Sequence, residues 1–570
     1  MIGSVIGFLL MKKSFFILLS IIFLGWSLVP VQYELSKKEE IAPHRSFELV
    51  HNYITDYNFY LSRIRQGFEG RFTVQERYTT EPHNGSLIQV FYLYLGTLAR
   101  VFTPTDTVGV PAAYWIACIL FAFLVLSATV WMVRRAFMQF HWQIIAFLLA
   151  ITACGYPIVV MVGDTWRFGG YMSWFTLMDT LQRITFLPHV LAGQLAIIVL
   201  FLGMNDTNIL RHPLSRIVYG CIALLLGMIF PPGLVFVGVG LVISVLVDTL
   251  WHWNVYIQKH QYSMWLQDVI LPRLMIGIIS VPALIYYVDT LSIYPWKSLA
   301  EFDALHPMRT SIFEYVKALG PVLPLGIFGL GVAWMKKESR MVPSIAWVIS
   351  WILLYAVFTF IPQQSPLRFA EMAPQIPLAV LLAYGCVQIV RVVEKKQKHP
   401  YLGVFAVSVP LLYIVLGLGV MYSSWLWHKD FVDQKVAAEY PEITMNNYIV
   451  YPTQAFMDGI TYIKEETNTD AVILSFMTAG NYIPAYTGRT VYIGHDNTVH
   501  VDAKKAVAKS FFKGIMEQKE AYVFLRTHGI SHVFVGPQEL ELIPSVGIAE
   551  RYPFLRTVFE RDNVTIYEVL

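Results

Sequence analysis

Apolar runs of about twenty residues alternate with short polar loops as far as about Tyr422. That is the length at which an α-helix crosses the hydrocarbon of a bilayer. The first run, 15–31, follows Lys12 and Lys13. Further spans are predicted near 109–133, 143–163, 188–204, 214–230, 233–250, 269–289, 318–335, 341–361, 369–391 and 401–422. Pro231-Pro232-Gly233 breaks the helix between two of these runs, so they count separately and the total is about eleven. Beyond about Trp425 the pattern changes. Short β runs at 471–475, 490–493, 532–535 and 564–569 alternate with amphipathic helical stretches at 454–466 and 503–526, an α/β pattern. The predicted fold class is a polytopic α-helical membrane protein, residues 1–425, with a soluble α/β domain at 426–570.

Orientation follows from where basic residues collect. Arg134 and Arg135, Arg211 and Arg216, Lys259 and Arg273, Lys336, Lys337 and Arg340, and Arg391, Lys395, Lys396 and Lys398 fall on the same side as Lys12 and Lys13. This places the N-terminus inside, and the long loop 32–108 and the C-terminal domain outside, in a multi-pass protein of the cell membrane. No small-residue cleavage site follows the first run, which therefore reads as a signal anchor; Met11, just before the lysines, is a second candidate start.

Composition agrees with this division, since 56% of residues are hydrophobic and only 14% charged, outside ordinary soluble usage. A net charge of +3 offers no concentrated basic surface, so no nucleic-acid partner is expected. Cys118, Cys154, Cys221 and Cys386 all lie inside apolar runs without disulfide or zinc spacing.

The loop 32–108 is more than a linker. Leu49, Tyr53, Tyr60, Ile64 and Phe68 recur at helical spacing, which predicts an amphipathic helix at the membrane interface over 47–68. Asp56 falls on the same stripe as Tyr60, Arg63 and Gly67. One reading is a carboxylate hydrogen-bonded to a tyrosine or paired with Arg63; the other is a reactive acid.

A first transmembrane helix followed by a long external loop with an acid on an interfacial helix resembles the GT-C glycosyltransferases. The segment DYNFYLSRIRQGFEGRF, Asp56 to Phe72, is similar to their first-loop pattern of an acid, aromatics and a small-plus-basic stretch. The resemblance covers the topology of about 1–425. It implies transfer of a sugar from a polyprenyl-phosphate carrier to a glycan, lipid or protein acceptor at the external membrane face. A tandem D-x-D in the first loop and a W-W-D sequence are both missing, which argues against a standard oligosaccharyltransferase catalytic subunit.

Such transfer needs a base near the acceptor and a cation near the leaving phosphate. Asp56 is the candidate base, since a carboxylate within reach takes the acceptor's proton as attack begins. Arg368, in PQQSPLRFAEMAPQIP at the external start of the tenth span, is the candidate phosphate ligand, with Arg63 as a second. An interfacial arginine paired with Glu371 is the alternative for Arg368. Glu81, His83 and Asn84 form a polar cluster before the apolar stretch 87–102 and are candidate sugar ligands, although Pro82 and Asn84-Gly85 also spell a turn. The second external loop adds Asp164, Arg183 and His189 as substrate candidates, with Asp179 nearby. Asp164 with Asp56 would hold a divalent cation if the two loops met. Trp166, Tyr171 and Trp174 suit sugar stacking and an interfacial aromatic belt equally.

In the C-terminal domain, 480–489 and Gly494-His495-Asp496-Asn497 are turn-rich and read either as a binding loop or as a structural loop packed on the membrane domain. The chain has no P-loop and no G-x-G-x-x-G, so nucleotide chemistry has no support. Two other functions fit the same composition: a transporter or flippase for lipid-linked glycans, and a ligase or polymerase moving whole oligosaccharides. A transporter should show paired repeats and ionisable residues along a midplane path. Here the charges lie mostly at helix ends and in loops.

Overall fold

A computed structural model describes residues 2–49, 54–172, 174–361, 365–396, 399–439, 450–543 and 547–570. Of the residues singled out above, Tyr53, Lys398 and the stretch 362–364 beside Arg368 lie outside the described residues. The chain packs as two compact units. Unit 1 comprises Met1–Val29, Ala117–Tyr287 and His306–His428, and unit 2 comprises Pro30–Ile116, Val288–Leu305 and Lys429–Leu570.

Unit 1 is helical. Among the described residues, six helices are long and apolar enough to cross a membrane: Asp106–Ala136, Pro231–Trp251, Tyr262–Thr290, Ser339–Thr359, Gln375–Lys395 and Pro400–Ala437. Two bent pairs, Ser14–Ser27 with Val29–Glu40 and Ile312–Leu319 with Val322–Met335, bring the number to eight. Helix therefore stands at every predicted run, but length and apolarity support six to eight spans rather than about eleven. Phe140–Thr152, Pro188–Gly203 and Pro213–Ile229 are the short ones. The core closes around Trp347, whose ring lies 5.1 Å from that of Phe201 and whose Nε1 donates to the Met372 carbonyl at 3.0 Å.

The run expected to span 143–163 departs most from prediction. Its helix ends at Thr152, and after Pro157 the β-branched Ile158-Val159-Val160 opens a hairpin of β1 (Ile158–Val162) and β2 (Thr165–Gly169). Gly163 turns the hairpin at φ +57°, a backbone region that L side chains rarely occupy. The hairpin docks on the Pro400–Ala437 helix, where Ser423 Oγ accepts from Phe168 N–H at 2.8 Å and Trp427 Nε1 donates to the Phe168 carbonyl at 3.1 Å.

Unit 2 brings together chain segments that are far apart in sequence. The helix α1 (Ile54–Phe68) crosses α2 (Val90–Phe102) at two glycines. A β-carbon at Gly67 would sit 1.7 Å from the Leu93 carbonyl oxygen, and one at Gly96 would sit 1.8 Å from that of Ile64. Only glycine allows backbones this close. The helix α3 (Met477–Tyr486) packs on α1 as well.

The sheet of unit 2 runs β4-β3-β5-β7-β6, from β3 (Val472–Leu474), β4 (Thr490–Val491), β5 (Ile530–Val535), β6 (Leu555–Arg561) and β7 (Val564–Val569). The first three are parallel and the last two antiparallel, joined by the tight turn Asp562-Asn563. Four strands lie where the sequence places them, and β6 was not expected. Thr453 caps the predicted helix Gln454–Glu466 by accepting from Phe456 N–H. The predicted 503–526 helix is two helices, Val501–Phe512 and Gln518–Thr527, divided where Gly514 takes φ +65°.

Candidate active site

The helix α1 corrects the interfacial expectation. It begins at Ile54 rather than at 47, and from Tyr57 to Gly67 nearly every side chain is buried, polar ones included. Its polar face is covered because partners exist for it. Asn58 Nδ2 donates to Asn481 Oδ1 at 2.8 Å, Gln66 exchanges hydrogen bonds with the Gln75 backbone, and Arg65 Nε donates to the Ala485 carbonyl. Amphipathic spacing distinguishes two faces; here protein covers both.

Asp56 sits in the first turn of this helix with its side chain 47% exposed, the most open point on α1 where an acid stands. It is not paired with Arg63. His495 Nε2 lies 3.8 Å from Asp56 Oδ1. The imidazole is held from three directions: it stacks on Phe59 at 4.5 Å, lies against Tyr78, and its Nδ1 accepts from Asn497 N–H at 3.1 Å. An amide N–H only donates, so in the neutral ring the proton is on Nε2, the nitrogen facing Asp56. The turn carrying His495 is pinned in turn, since Thr498 Oγ1 donates to the Tyr78 carbonyl at 2.9 Å.

Four other acids of the first loop, Glu69, Glu76, Glu81 and Asp106, are engaged. Arg63 is fully buried; its Nη2 lies 2.5 Å from Glu76 Oε2, its Nε donates to Gln89, and its guanidinium rests 3.8 Å over Phe59. That placement removes it from the surface a donor phosphate would reach, so its phosphate-binding assignment is not retained. Glu69 pairs with Arg77, and Asp106 with Arg65 and Lys464. Glu81 is held by Lys504 at 2.8 Å and by Thr79. Burial opposes its ionisation, but these hydrogen bonds outweigh it and hold the carboxyl below its usual range.

His83 is likewise committed to structure. Its Nε2 accepts from Glu76 N–H at 2.9 Å and its Nδ1 donates to the Glu81 carbonyl at 2.7 Å, with Trp296 edge-on. Asn84 is exposed, and Val74 and Ser86 bridge the base of the loop. The turn reading of 81–86 describes this segment better than a sugar cluster does. The C-terminal stretch expected as a loop at 480–489 is mostly α3, whose Asn481 carbonyl accepts from Tyr78 at 3.1 Å.

The remaining candidates belong to unit 1. Arg368, on the 3-10 helix Pro366–Met372, keeps 37% of its side chain exposed with Nη1 3.8 Å from Glu371 Oε1. Arg183 donates to the Ile151 carbonyl beside a cavity of about 40 Å³ shared with Gln194 and Gln375, room for water but not for a sugar. Asp164 is exposed in the β1–β2 turn, and His189 lies edge-on to Phe230 at the start of Pro188–Gly203. Asp179 accepts from Ser424 Oγ and from two backbone N–H groups, with His428 Nε2 at 4.0 Å. Among the described residues no group of three or more His, Cys, Asp or Glu side chains is arranged to hold a metal ion.

No family model matches the chain, and no curated protein does. Its fold has a counterpart among solved structures. The Archaeoglobus fulgidus oligosaccharyltransferase tethered with an acceptor peptide containing the NVT sequon aligns with a TM-score of 0.50 and 12% identity, covering 96% of this chain and 74% of that one. The chain carries the fold of that archaeal enzyme. A structure of the same archaeal enzyme in complex with Zn and sulfate aligns at 0.47, with 12% identity over 95% of this chain and 73% of that one. The likeness runs the length of the chain, although the tandem D-x-D and W-W-D sequences are missing.

Sequence reading named His495 and Asn481 only as parts of turn-rich segments, and passed over Lys504. Their partners are hundreds of residues upstream, and no local periodicity marks a histidine that will face one particular aspartate.

Proposed function

We propose that this protein is a membrane glycosyltransferase that moves a sugar from a polyprenyl-phosphate-linked donor to an acceptor at the external membrane face, with inversion at the anomeric carbon. The observation that carries the reading is Asp56: while Glu69, Glu76, Glu81 and Asp106 of the first loop are tied into ion pairs, it is half-exposed, at a helix start, and faced by the Nε2 of a fixed histidine. The fold shared with the archaeal enzyme supports the class of reaction. The archaeal counterpart was solved with an acceptor peptide, which keeps a protein acceptor alongside glycan and lipid ones.

In this chemistry Asp56 takes the proton of the acceptor nucleophile as its lone pair attacks the anomeric carbon. The bond from that carbon to the carrier phosphate oxygen breaks, and the electron pair leaves on the phosphate. Arg368 is proposed separately as the donor-phosphate ligand, because a planar guanidinium matches phosphate geometry. His495 presents its Nε2–H toward the carboxylate from 3.8 Å, longer than a hydrogen bond.

The test is sugar transfer from a synthetic polyprenyl-phosphate hexose by the purified, lipid-reconstituted protein. Asp56→Asn should lower turnover by about 10²–10⁴-fold, the usual weight of positioned acid–base catalysis, with an unchanged melting temperature. Near-wild-type transfer by a stable Asp56→Asn protein would remove Asp56 from the mechanism. Movement of the intact donor across the bilayer, with no polyprenyl phosphate released, would favour the flippase reading.

A further inference from the structure

The helix α2 has two unlike faces. Val90, Leu93 and Gly96 turn inward and pack on α1, whereas Tyr94, Leu98, Val101 and Phe102 are exposed at positions that share one side of the helix. Val101 and Phe102 are 75% and 82% exposed, and Phe72, in the turn after α1, is 81% exposed. These values exceed those of exposed side chains on the spans themselves, such as Val404 at 66% and Val415 at 65%. In residues 429–570, by contrast, large exposed apolar groups such as Ile515, Val523 and Leu540 stand singly. A water-exposed surface has no use for such a row.

What covers the row is indicated by its surroundings. Four residues after Phe102 the chain enters Asp106–Ala136, a candidate membrane span, whose exposed Val108 and Ile116 continue the apolar surface. The patch thus adjoins the point where the chain enters hydrocarbon. Two exposed arginines flank it: Arg100, on α2, whose guanidinium lies against Gly70, and Arg71 next in the chain. An apolar helix face with cationic edges is the pattern of a helix lying in the plane of the headgroups.

We propose that the outer face of α2 is seated in the headgroup–acyl boundary of the bilayer, with Arg71 and Arg100 meeting the phosphates of anionic lipid. The interfacial element of the first loop is then α2, and α1, to which the sequence pattern assigned that place, is carried behind it. This anchors the helix that bears Asp56 at a fixed height above the hydrocarbon, through the glycine crossing of α1 and α2. The proposal is independent of the reaction catalysed.

Quenching by depth tests it. In a Cys221→Ser background, whose three remaining cysteines are buried, Leu98→Cys, Phe102→Cys and the control Lys519→Cys are labelled with bimane and reconstituted into phosphatidylcholine–phosphatidylglycerol vesicles. Lipid carrying a shallow doxyl group should quench the labels at 98 and 102 at least twofold more than that at 519, and aqueous iodide should do the reverse. Raising the phosphatidylglycerol fraction should strengthen lipid quenching, and Arg71→Gln/Arg100→Gln should abolish that gain. Iodide quenching at 98 and 102 equal to that at 519 would overturn the proposal. So would shielding from both quenchers, which would mean that a second copy or another protein covers the face. Lipid quenching indifferent to phosphatidylglycerol would refute the arginine contacts.

Discussion

Lys504 extends its ammonium to within 2.8 Å of the Glu81 carboxylate, a pair formed by residues 423 positions apart. The lysine is buried, and burial lowers its affinity for a proton while Glu81 restores part of it. Glu81→Gln should cost about 1–3 kcal/mol, below the full value for a broken buried pair because Glu81 stays partly wet. The companion Glu81→Gln/Lys504→Met should recover much of that loss, because no charge is then left without a partner. Denaturant unfolding of the purified variants measures both.

At the crossing of α1 and α2, Gly96→Ala places a β-carbon into the Ile64 carbonyl, and backbone on both sides leaves nothing flexible to yield. The expected loss is about 3 kcal/mol or more, the upper end for overpacking. Gly238→Ala, at a glycine with open space around it, serves as the control and should be near neutral. Thermal unfolding in detergent separates the two.

The carboxyl of Glu48 is pushed up to about 7 by desolvation, with the Tyr486 hydroxyl, 2.6 Å away, and the charge of Lys435 offsetting part of that rise. A raised folded-state value means that the native form binds more protons than the unfolded chain between about pH 4.5 and 7, so this group's contribution to stability falls as pH rises through that window. Melting temperatures of wild type and Glu48→Gln, taken from pH 5 to 8, should converge at the acid end and separate toward pH 8, with the wild type lower.

For Arg368, substitution by Ala should weaken use of the phosphate donor while leaving stability nearly unchanged, since over a third of the side chain is exposed. Arg368→Lys should recover only part of the activity, because a point charge replaces a planar fork. Initial rates against donor concentration give the answer. Normal turnover by a folded Arg368→Ala protein would leave Arg368 as an interfacial residue beside Glu371.

Much of the architecture was written in local pattern. Twenty-residue apolar runs locate the helices of unit 1, and alternating β-branched residues locate β3, β5 and β7. The run 143–163 misled because hydropathy counts Ile158-Val159-Val160 as helix interior, although β-branched residues after a proline favour a strand. The helix α1 misled for another reason. Its polar residues are those of a wet face, and only tertiary partners such as Asn481 and Glu76 convert that face into an interior. Asp56 was legible as an acid on a helical stripe, whereas its place in the first turn and its neighbour in space, His495, were not.

The assembly of unit 2 sets a timetable on how this protein is made. Asn58 and Asn481, like Glu81 and Lys504, are 423 residues apart, and ribosomes add about 5–20 residues per second. The first-loop helices therefore wait roughly 20–85 seconds between their own synthesis and the arrival of the chain that covers them. Throughout that interval Asn58, Arg65 and the rim of α1 have no α3 to meet, and most of the membrane helices are inserted meanwhile. The first loop is thus an early-made half-interface, and the cell must keep it from finding another partner until the last quarter of the chain emerges.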